Sequence, residues 1–457
     1  MSRLSVPPNF IGTSSADTIV GEELNAPLAI GIEILSKGSI DTRSGKDTIK
    51  GTGNGTNGDD GIYDMDGVSD GGNGGTGTGI ANSGNLNTEK ENDNIIGTGN
   101  GGNGGNSSGV FGQGAGSGGS GTGIANSASL NTGSGNDTLT GTGNGGGTGN
   151  DYGGSLLYGG TGTGINNSGS ISTGSGKDMI AGTGNGGNSG VFGGSGTGIN
   201  NTKELDTQDG EDTITGIGTG GSGGNANFGS DGGAGTGINN SGSINTGSGN
   251  DTITGTGNGG NNGSSARRSG AGTGIENIKN AAITTGSDKD TIAGLGNSLG
   301  ENATAYGIFN DGLIDTGDSC DKLTGQATTT IGGTAYGIYG QGTINTGDGN
   351  DEITATSIVD GVQQKVSIDG GIKIDLGTGN DYLKGFGTAT VDGGKGFDTL
   401  DLGAFNRSEL LVSGVISGNP LNSANFSFNG ISLSTIGFDK FIFADSSLDY
   451  NTLANGA

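Results

Sequence analysis

The residues of this chain with the clearest chemistry are aspartates that end short glycine-rich turns. The stretch Gly247-Ser-Gly-Asn-Asp251 is followed at once by Thr252 and Ile253, and near copies recur from one end of the sequence to the other. The glycines adopt positive φ without steric cost and expose carbonyl oxygens. The aspartate adds a carboxylate. Carbonyl and carboxylate oxygens in flexible geometry suit a hard cation, and Ca²⁺, which accepts about six to eight such oxygens, fits better than Mg²⁺.

If successive turns stack in register, their aspartates form one column with a spacing of about 4.8 Å. Bare carboxylates at that distance repel each other by roughly 3–4 kcal/mol per pair at an effective dielectric of about 20. Calcium ions between the turns would replace this repulsion by a bond between neighbouring coils. The alternative is that each aspartate only caps its own turn by accepting a backbone N–H, but its recurrence at matching positions favours calcium. The candidate ligands are Asp47, Gly133, Gly135, Asp137, Gly174, Gly176, Asp178, Asp212, Gly247, Gly249, Asp251, Asp321, Gly347, Gly349, Asp351, Gly377, Gly379, Asp381, Gly394, Gly396 and Asp398.

The distance from each turn back to an upstream isoleucine indicates which elements position the aspartates. This isoleucine precedes the aspartate by 13 residues in seven units and by nine or 15 residues in three others. The return from the aspartate to the next isoleucine is variable, from 33 residues after Asp47 to 17 after Asp321. One half of the unit is fixed and the other absorbs insertions, which is typical of a solenoid whose loops leave from one face. The seven regular pairs are Ile80/Asp93, Ile124/Asp137, Ile165/Asp178, Ile199/Asp212, Ile238/Asp251, Ile308/Asp321 and Ile338/Asp351.

The fixed half of each unit alternates like a β-strand. From Ile238 to Thr246, period 2 places Ile238, Asn240 and Ile244 on one face, which we expect to point inward. Three bulky apolar residues per coil, with Ile253 after the turn, make a thin core. An inward asparagine is tolerable if equivalent asparagines stack and bond to one another along the axis. The equivalent positions are Asn82, Asn126, Asn167 and Asn310.

The sequence therefore predicts an all-β fold, a parallel β-helix or β-roll solenoid of about ten coils with an antiparallel C-terminal cap. Residues 1–28 are expected to be a leader or N-terminal cap, residues 29–390 the Gly/Asn/Thr-rich repeats, and residues 391–457 the C-terminal cap and secretion region. Inserts such as the one that starts at Gly101 are rich in Gly, Asn and Ser. We expect them to be flexible surface loops, the longer ones adding irregular rungs to the solenoid.

Composition narrows the functional classes. The 457 residues are 27% hydrophobic and include 112 Gly but only 4 Pro, none of which lies between Leu28 and Asn419, as a parallel sheet requires. The formal net charge of −27 argues against nucleic acid and anionic membranes and favours cations. No His and a single cysteine, Cys320, exclude most nucleophile–base pairs, so we predict no enzyme. No apolar run is long enough to cross a membrane.

A resemblance to a known family follows from the turn sequence. Gly393-Gly-Lys-Gly-Phe-Asp-Thr-Leu-Asp401 matches the hemolysin-type (RTX) calcium-binding nonapeptide GGxGxDxUx, and Thr132-Gly-Ser-Gly-Asn-Asp-Thr-Leu-Thr140 matches it except at the first position. The resemblance implies a β-roll, calcium held by turn carbonyls and aspartates, and export by the type I route without an N-terminal signal. The chain departs from the family because it has one such turn per long coil, so it resembles an atypical long-coil variant. Some copies, such as Thr88-Glu-Lys-Glu-Asn-Asp93, also lack the glycines.

Three functions remain open at this point. We expect first a calcium-stabilised structural or adhesive protein, secreted or at the cell surface, that self-assembles into fibres or a surface layer or contacts a cell-surface polysaccharide. A second reading is an ice- or glycan-binding module, suggested by outward threonines such as Thr138, Thr140 and Thr142 but weakened by breaks at Lys50 and Ala181. A third is a fragment of a toxin or enzyme whose catalytic domain lies elsewhere.

Overall fold

The chain winds into a parallel β-solenoid, as a computed structural model shows. The structure describes residues 3–64, 67–109, 114–151, 156–224, 231–262, 269–330, 332–416 and 421–454. Strands of successive coils pair in parallel in two long sheets, and only one short α-helix and one 3₁₀ turn occur in the described residues. The predicted fold class is confirmed.

Each regular coil contains three strands. In the coil that contains the turn Gly247–Asp251, the strand Gly235–Asn240 is followed by a bend and by the strand Ser243–Asn245. The aspartate turn and the strand Thr252–Gly259 come next. The first two strands belong to one sheet and the third belongs to the other. Equivalent residues of the next coil pair without slippage, for example Ile238 with Ile275. The uninterrupted strand expected from alternation is therefore two strands, because Ser241 and Gly242 turn the corner between them.

The strands fall into three groups. The first strands of the coils are Leu4–Val6, Leu28–Ile34, Thr76–Asn82, Gly121–Asn126, Gly162–Asn167, Gly196–Asn201, Gly235–Asn240, Gly272–Asn277, Thr304–Asn310 and Thr334–Tyr339. The short second strands are Phe10–Ile11, Ser39–Asp41, Asn85–Asn87, Ser129–Asn131, Ser170–Ser172, Glu204–Asp206, Ser243–Asn245, Ala282–Thr284, Leu313–Asp315 and Thr343–Asn345. The third strands are Thr18–Ala26, Thr48–Gly55, Asn94–Asn100, Thr138–Asn144, Met179–Asn185, Thr213–Thr219, Thr252–Gly259, Thr291–Ser298, Lys322–Thr329 and Glu352–Val359.

A narrow core runs along the axis next to the aspartate turns. Ile238, Ile244 and Ile253 are fully buried, and so are their equivalents in neighbouring coils. Asn240 is buried at the bend, where its Nδ2 donates to Asn277 Oδ1 at 2.9 Å and to the carbonyl of Ala282 at 2.9 Å. The predicted asparagine ladder is confirmed, and its second role is to hold the corner of the coil.

Away from the aspartate turns the two sheets approach until their backbones touch. A Cβ on Gly237 would lie 2.2 Å from the amide nitrogen of Thr256, and one on Gly255 would lie 2.3 Å from the carbonyl oxygen of Gly274. Only glycine leaves room for this approach. The coil therefore narrows from the aspartate turn, where side chains separate the two sheets, to the opposite edge, where the two backbones are in direct contact.

Six coils continue beyond this thin edge as paired glycine-rich segments, which we call the glycine extensions. They comprise residues 56–75, 101–120, 145–161, 186–195, 220–234 and 260–271. In them, Gly119 N–H donates to Gly102 O, Gly146 N–H to Gly119 O and Gly160 N–H to Gly146 O, each at 2.8 Å. This zigzag joins the outgoing and returning segments of successive coils, so the expectation of flexible surface loops is wrong for these parts, and the expectation that longer inserts add irregular rungs is confirmed. Residues 65–66, 110–113, 152–155, 225–230 and 263–268 lie outside the described residues.

The repeat begins earlier than the sequence pattern indicates. Leu4–Val6, Phe10–Ile11 and Thr18–Ala26 pair in parallel with the coil that follows and form a coil of their own. Arg3 lies at this first coil, where its guanidinium bonds to Glu23 at 2.8 Å and to Glu33 at 3.1 Å. Residues before Ala29 thus contribute a full coil of the solenoid.

The C-terminal coils are shorter and end in antiparallel strands. Ile431–Ile436 pairs in parallel with Gly387–Asp392 and antiparallel with Ala424–Phe428, so it joins the parallel strands of the first sheet to its antiparallel end, where Leu411–Ser413 is the edge strand. Phenylalanines such as Phe426 and Phe441 fill this end. No helix of the described residues has the length and apolarity to cross a membrane. The remaining elements are Tyr63–Asp64, Gly67–Val68, Val362–Gln363, Ile368–Asp375, Thr378–Gly379, Tyr382–Lys384, Lys395–Gly396, Asp398–Leu402, the 3₁₀ turn Arg407–Glu409, Leu411–Ser413, Phe438–Phe443, Ser447–Asp449 and the helix Tyr450–Ala454.

Candidate cation site along the aspartate row

The turn before each third strand has a fixed backbone conformation. Gly133 and Gly135 have φ of 90° and 145°, in the region that favours glycine. A Cβ on Gly133 would lie 1.7 Å from the carbonyl oxygen of Glu89, and one on Gly135 would lie 2.0 Å from that of Glu91, both in the preceding coil. The two glycines therefore serve the turn in two ways, by their φ and by the close approach of the next turn.

Turns that lack glycine keep the same conformation. Glu89 and Glu91 occupy the two glycine positions with φ of 67° and 72°, and Gln208 and Ser319 do so with φ of 65° and 100°. Positive φ in such residues is unfavourable by about 1–2 kcal/mol each. The rest of the coil must hold these turns in place, so the sequence departures at Asp93 and Asp321 do not remove their aspartates from the site.

The turn aspartates form one continuous row, the aspartate row, which is linked by hydrogen bonds between coils. The backbone N–H of Asp137 donates to Asp178 Oδ1 at 2.8 Å, and that of Asp178 donates to Asp212 Oδ1 at 2.8 Å. The same bond recurs from Asp17 to Asp398 at 2.7–2.9 Å. The predicted column of aspartates is confirmed, but each carboxylate from Asp47 onward caps the turn of the preceding coil and not its own, while Asp17 in the first coil caps its own turn through Thr13 N–H. The members of the row are Asp17, Asp47, Asp93, Asp137, Asp178, Asp212, Asp251, Asp290, Asp321, Asp351, Asp381 and Asp398.

The second carboxylate oxygen of these aspartates is buried without a hydrogen-bond partner. This holds for Oδ2 of every member after Asp17. The side chains are almost fully enclosed, for example 1% exposed at Asp137 and 0% at Asp398. The nearby hydroxyl of Thr132, at the start of the turn, lowers the pKa of Asp137, but it donates its hydrogen bond to the carbonyl of Thr173 at 3.1 Å. A buried carboxylate oxygen without a donor is costly and requires a counter-ion or a proton.

Burial dominates the ionisation of the row. Loss of solvation raises the pKa of Asp93, Asp178, Asp290 and Asp381 to about 7. It also raises the pKa of Asp137, Asp212 and Asp351. Neighbouring carboxylates add to the rise, for example Asp137 and Asp212 on either side of Asp178. The row therefore resists ionisation unless positive charge is supplied, which is the electrostatic condition for a cation site. Burial raises the pKa of three further members to about 6, namely Asp251, Asp321 and Asp398.

The donors in the row match a hard cation in chemical type. Each coil offers one unbonded carboxylate oxygen, and turn carbonyls such as that of Gly133, which accepts Ser175 N–H at 3.1 Å, keep a second lone pair. In the described part of the chain, no three acidic, His or Cys side chains converge as a metal-binding group. A cation here would therefore be held by carboxylate oxygens of successive coils together with turn carbonyls, and not by side chains alone.

The structure brings the predicted candidate residues together, with three additions. Asp17, Asp93 and Asp290 belong to the row although none of them was among the candidate ligands. The 13- and 15-residue spacing of Asp93 and Asp290 from an upstream isoleucine is the signal that could have included those two. The last two turns are the closest in sequence, 17 residues apart from Asp381 to Asp398, and their Thr378–Gly379 and Lys395–Gly396 segments pair directly.

Comparison with known proteins adds no assignment. No protein-family model matches the chain, and no curated protein matches it significantly. The similarity to the hemolysin-type repeats therefore depends on the nonapeptide motif alone.

Proposed function

We propose that the chain is a non-enzymatic structural solenoid that binds calcium along the aspartate row. The observation that carries the proposal is the unbonded Oδ2 of eleven consecutive buried aspartates, from Asp47 to Asp398. One such atom could be a local defect. Eleven in register form a continuous acidic surface inside the turn edge of the protein, for which bound cations are the simplest compensation.

The physical role of the cation follows from the thinness of the core. Three isoleucines per coil, such as Ile238, Ile244 and Ile253, supply the apolar burial, while the aspartates repel one another by roughly 3–4 kcal/mol per neighbouring pair when ionised. Bound calcium would supply positive charge at the row, and the carboxylates and turn carbonyls of adjacent coils would hold it. Cation binding would then stabilise the stacking of coils in addition to each turn.

The proposed location is outside the cell, at its surface or in a secreted layer, with export by the type I route. This part of the proposal rests on the resemblance of Gly393–Asp401 to the hemolysin-type repeat. It agrees with the chemistry of the row, because calcium sites of extracellular modules have dissociation constants of about 10⁻⁴–10⁻³ M. A chain that completes its folding only at such concentrations would stay loosely folded until exported.

The test is thermal unfolding of the full chain at pH 8, followed by circular dichroism, in excess EGTA and in about 5 mM CaCl₂, roughly five times the highest dissociation constant expected of an extracellular calcium module. We expect calcium to raise the melting temperature by about 10 °C or more, since several sites act together. Equilibrium dialysis with radioactive calcium then gives the number of bound ions, which should approach one per pair of adjacent aspartates.

Two variants separate the row from general charge effects. Replacement of Asp137, Asp178 and Asp212 by Asn keeps an oxygen to accept each backbone N–H but removes three charges, so it should reduce both the bound calcium and the calcium-dependent rise in melting temperature. Asp360→Asn, at an exposed position outside the row, should leave both unchanged. Equal melting temperatures in EGTA and in calcium, with no ions retained by the wild-type chain, would refute the calcium proposal.

A further inference from the structure

A cluster of four aromatic rings lies on the outward face of the first sheet. Tyr306 and Phe309 come from Thr304–Asn310, and Tyr336 and Tyr339 come from the equivalent strand of the next coil. Tyr306 pairs in register with Tyr336, and Phe309 pairs with Tyr339. We call these four residues the aromatic patch. All four are partly exposed, while the residues between them, such as Ile308, are buried.

The rings contact one another in a two-by-two array. Tyr306 and Tyr336 are nearly parallel, 15° apart, with ring centroids separated by 6.2 Å. Phe309 and Tyr339 are 5.5 Å apart at 29°, and Tyr306 meets Tyr339 at 5.1 Å. Parallel rings with centroids this far apart are offset from each other. They therefore overlap only in part, and part of the ring surface stays open to solvent.

The patch breaks a pattern that holds in the six preceding coils. The column that contains Tyr306 is threonine in the six preceding coils, and the column that contains Phe309 is alanine, asparagine or glutamate there. Four of the ten aromatic residues between Ala29 and Asp381 are in this one patch. The same coils also have no glycine extension. Coils can stack without these rings, so their concentration at one place indicates a role other than stacking. The preceding residues are Thr78, Thr122, Thr163, Thr197, Thr236 and Thr273 in the first column, and Ala81, Ala125, Asn166, Asn200, Asn239 and Glu276 in the second.

Carboxyl groups lie at both ends of the patch along the axis. Glu276 is the register partner of Phe309 on one side, and Asp369 is the register partner of Tyr339 on the other. Burial, together with the carboxylate of Asp311, raises the pKa of Glu276. Asp369 lies next to the Tyr336 hydroxyl and contributes to the raised pKa of that phenol, after burial itself. The rim of the patch thus offers carboxyl and phenol oxygens around an apolar centre.

We propose that the aromatic patch, with Glu276 and Asp369 at its rim, binds a neutral polysaccharide. A sugar ring has an apolar face of C–H groups that packs on an aromatic ring, and a rim of hydroxyls that donate to carboxyl and phenol oxygens. The patch has this same division, since its rings lie at the centre and its oxygens at the two ends. The acidic rim and the net charge of −27 disfavour acidic polysaccharides. This proposal does not depend on calcium at the aspartate row.

The experiment uses the full chain in a calcium-containing buffer, so that differences in calcium content do not affect the measured binding of polysaccharide. Native gel electrophoresis is run with and without soluble dextran, laminarin, hydroxyethyl cellulose, galactomannan and xylan, with alginate as the acidic polysaccharide. We expect the wild-type chain to be retarded by at least one neutral polysaccharide and not by alginate. The dissociation constant for that polysaccharide is then measured from the retardation.

The variant places the residues of an earlier coil in the patch. Tyr306 and Tyr336 become Thr, as at Thr197, and Phe309 and Tyr339 become Asn, as at Asn200. These replacements occur naturally at equivalent positions, so the fold should persist, and its circular dichroism should match the wild type. Binding should weaken by about tenfold or more, the equivalent of roughly 1.4 kcal/mol.

A matched control removes a different pair of stacked rings. Tyr158 and Phe192, 5.0 Å apart on the glycine extensions, are replaced by Thr, and binding should be unchanged. Equal binding by the wild-type chain and the patch variant would overturn the proposal, and so would retention of the wild-type chain by none of the neutral polysaccharides. A wild-type dimer on gel filtration that becomes monomeric in the patch variant would assign the patch to self-association and would also overturn it.

Discussion

The two edges of each coil use glycine for different reasons. At the aspartate turn, Gly133 and Gly135 combine a positive φ with a close approach to the preceding coil, yet side chains occupy these positions in other coils, as Glu89 and Glu91 show. In the glycine extensions, Gly146 needs no special φ, but a Cβ there would lie 2.0 Å from the carbonyl oxygen of Gly102. The aspartate edge is held by carboxylates and tolerates side chains at its glycine positions. The edge of the glycine extensions is held by backbone contact and excludes side chains at positions such as Gly146.

The two edges also differ in what they demand from solution. Most hydrogen bonds between the extensions join neutral groups, as between Gly160 and Gly146. The exceptions in the first extension end on the exposed carboxylates of Asp60 and Asp70. The hydrogen bonds of the turn edge end on buried carboxylates, as between Asp178 and Asp212. The comparison predicts that pH and cations act on the aspartate edge and leave the extensions unaffected.

The largest expected effect is that of pH without divalent cations. Burial raises the pKa of Asp178 and Asp290 to about 7, against about 3.9 in an unfolded chain. Between these values the folded state binds more protons, so the stability that protonation gives is present at low pH and lost as pH rises through about 7. In EGTA we expect a melting temperature about 10 °C lower at pH 8 than at pH 5, measured by circular dichroism.

Calcium serves as the control for this pH effect. Added at pH 8 it should restore most of the lost stability, while at pH 5, where protons already neutralise the row, it should add little. Amide exchange distinguishes the edges, because opening at Asp178 should become more frequent with pH while opening at Gly187 should not. A chain that is more stable at pH 8 than at pH 5 in EGTA would contradict this prediction.

The next effect in size is the loss of backbone contact in the glycine extensions. Gly146→Ala places a methyl group against the carbonyl of Gly102, and the neighbouring coils must separate to admit it. We expect a loss of about 3 kcal/mol in the free energy of unfolding, with faster amide exchange at Gly119 and Gly160. Gly190→Ala is the matched control, since its Cβ would have nothing within 4 Å. Equal stabilities of the two variants would show that the extensions do not pack as described.

The sequence predicted the aspartate edge far better than the glycine edge, for a physical reason. The 13-residue spacing between Ile238 and Asp251 is fixed because both residues are buried, so period and alternation predict the inward isoleucines, the Asn240 ladder and the aspartate row. The partner of each carboxylate could not be predicted, because it lies on another coil and not in the same turn. The corner at Ser241 and Gly242 escaped prediction because alternation of side chains continues across it.

The glycine extensions show where such prediction ends. A run such as Gly101-Gly-Asn-Gly-Gly-Asn106 has few side chains, so it carries little hydrophobic pattern and its composition equals that of a flexible linker. Its order comes from hydrogen bonds between coils, such as Gly147 N–H to Asn103 Oδ1 at 2.8 Å. The repeat of two glycines and one polar residue is the only local sign of this arrangement.

The smallest expected effect tests the tolerance of the turn edge. Glu89→Gly removes an unfavourable positive φ of 67° but increases the entropy of the unfolded chain. The first term is about 1–2 kcal/mol and the second about 0.5–1 kcal/mol, so we expect a net gain of about 0.5–1 kcal/mol in urea unfolding. Ser129→Gly, at an exposed position in a neighbouring strand, has only the entropic term and should destabilise the chain. If Glu89→Gly destabilises as well, side-chain contacts of Glu89 outweigh its backbone strain, and the turn edge selects side chains more strictly than its varied sequence indicates.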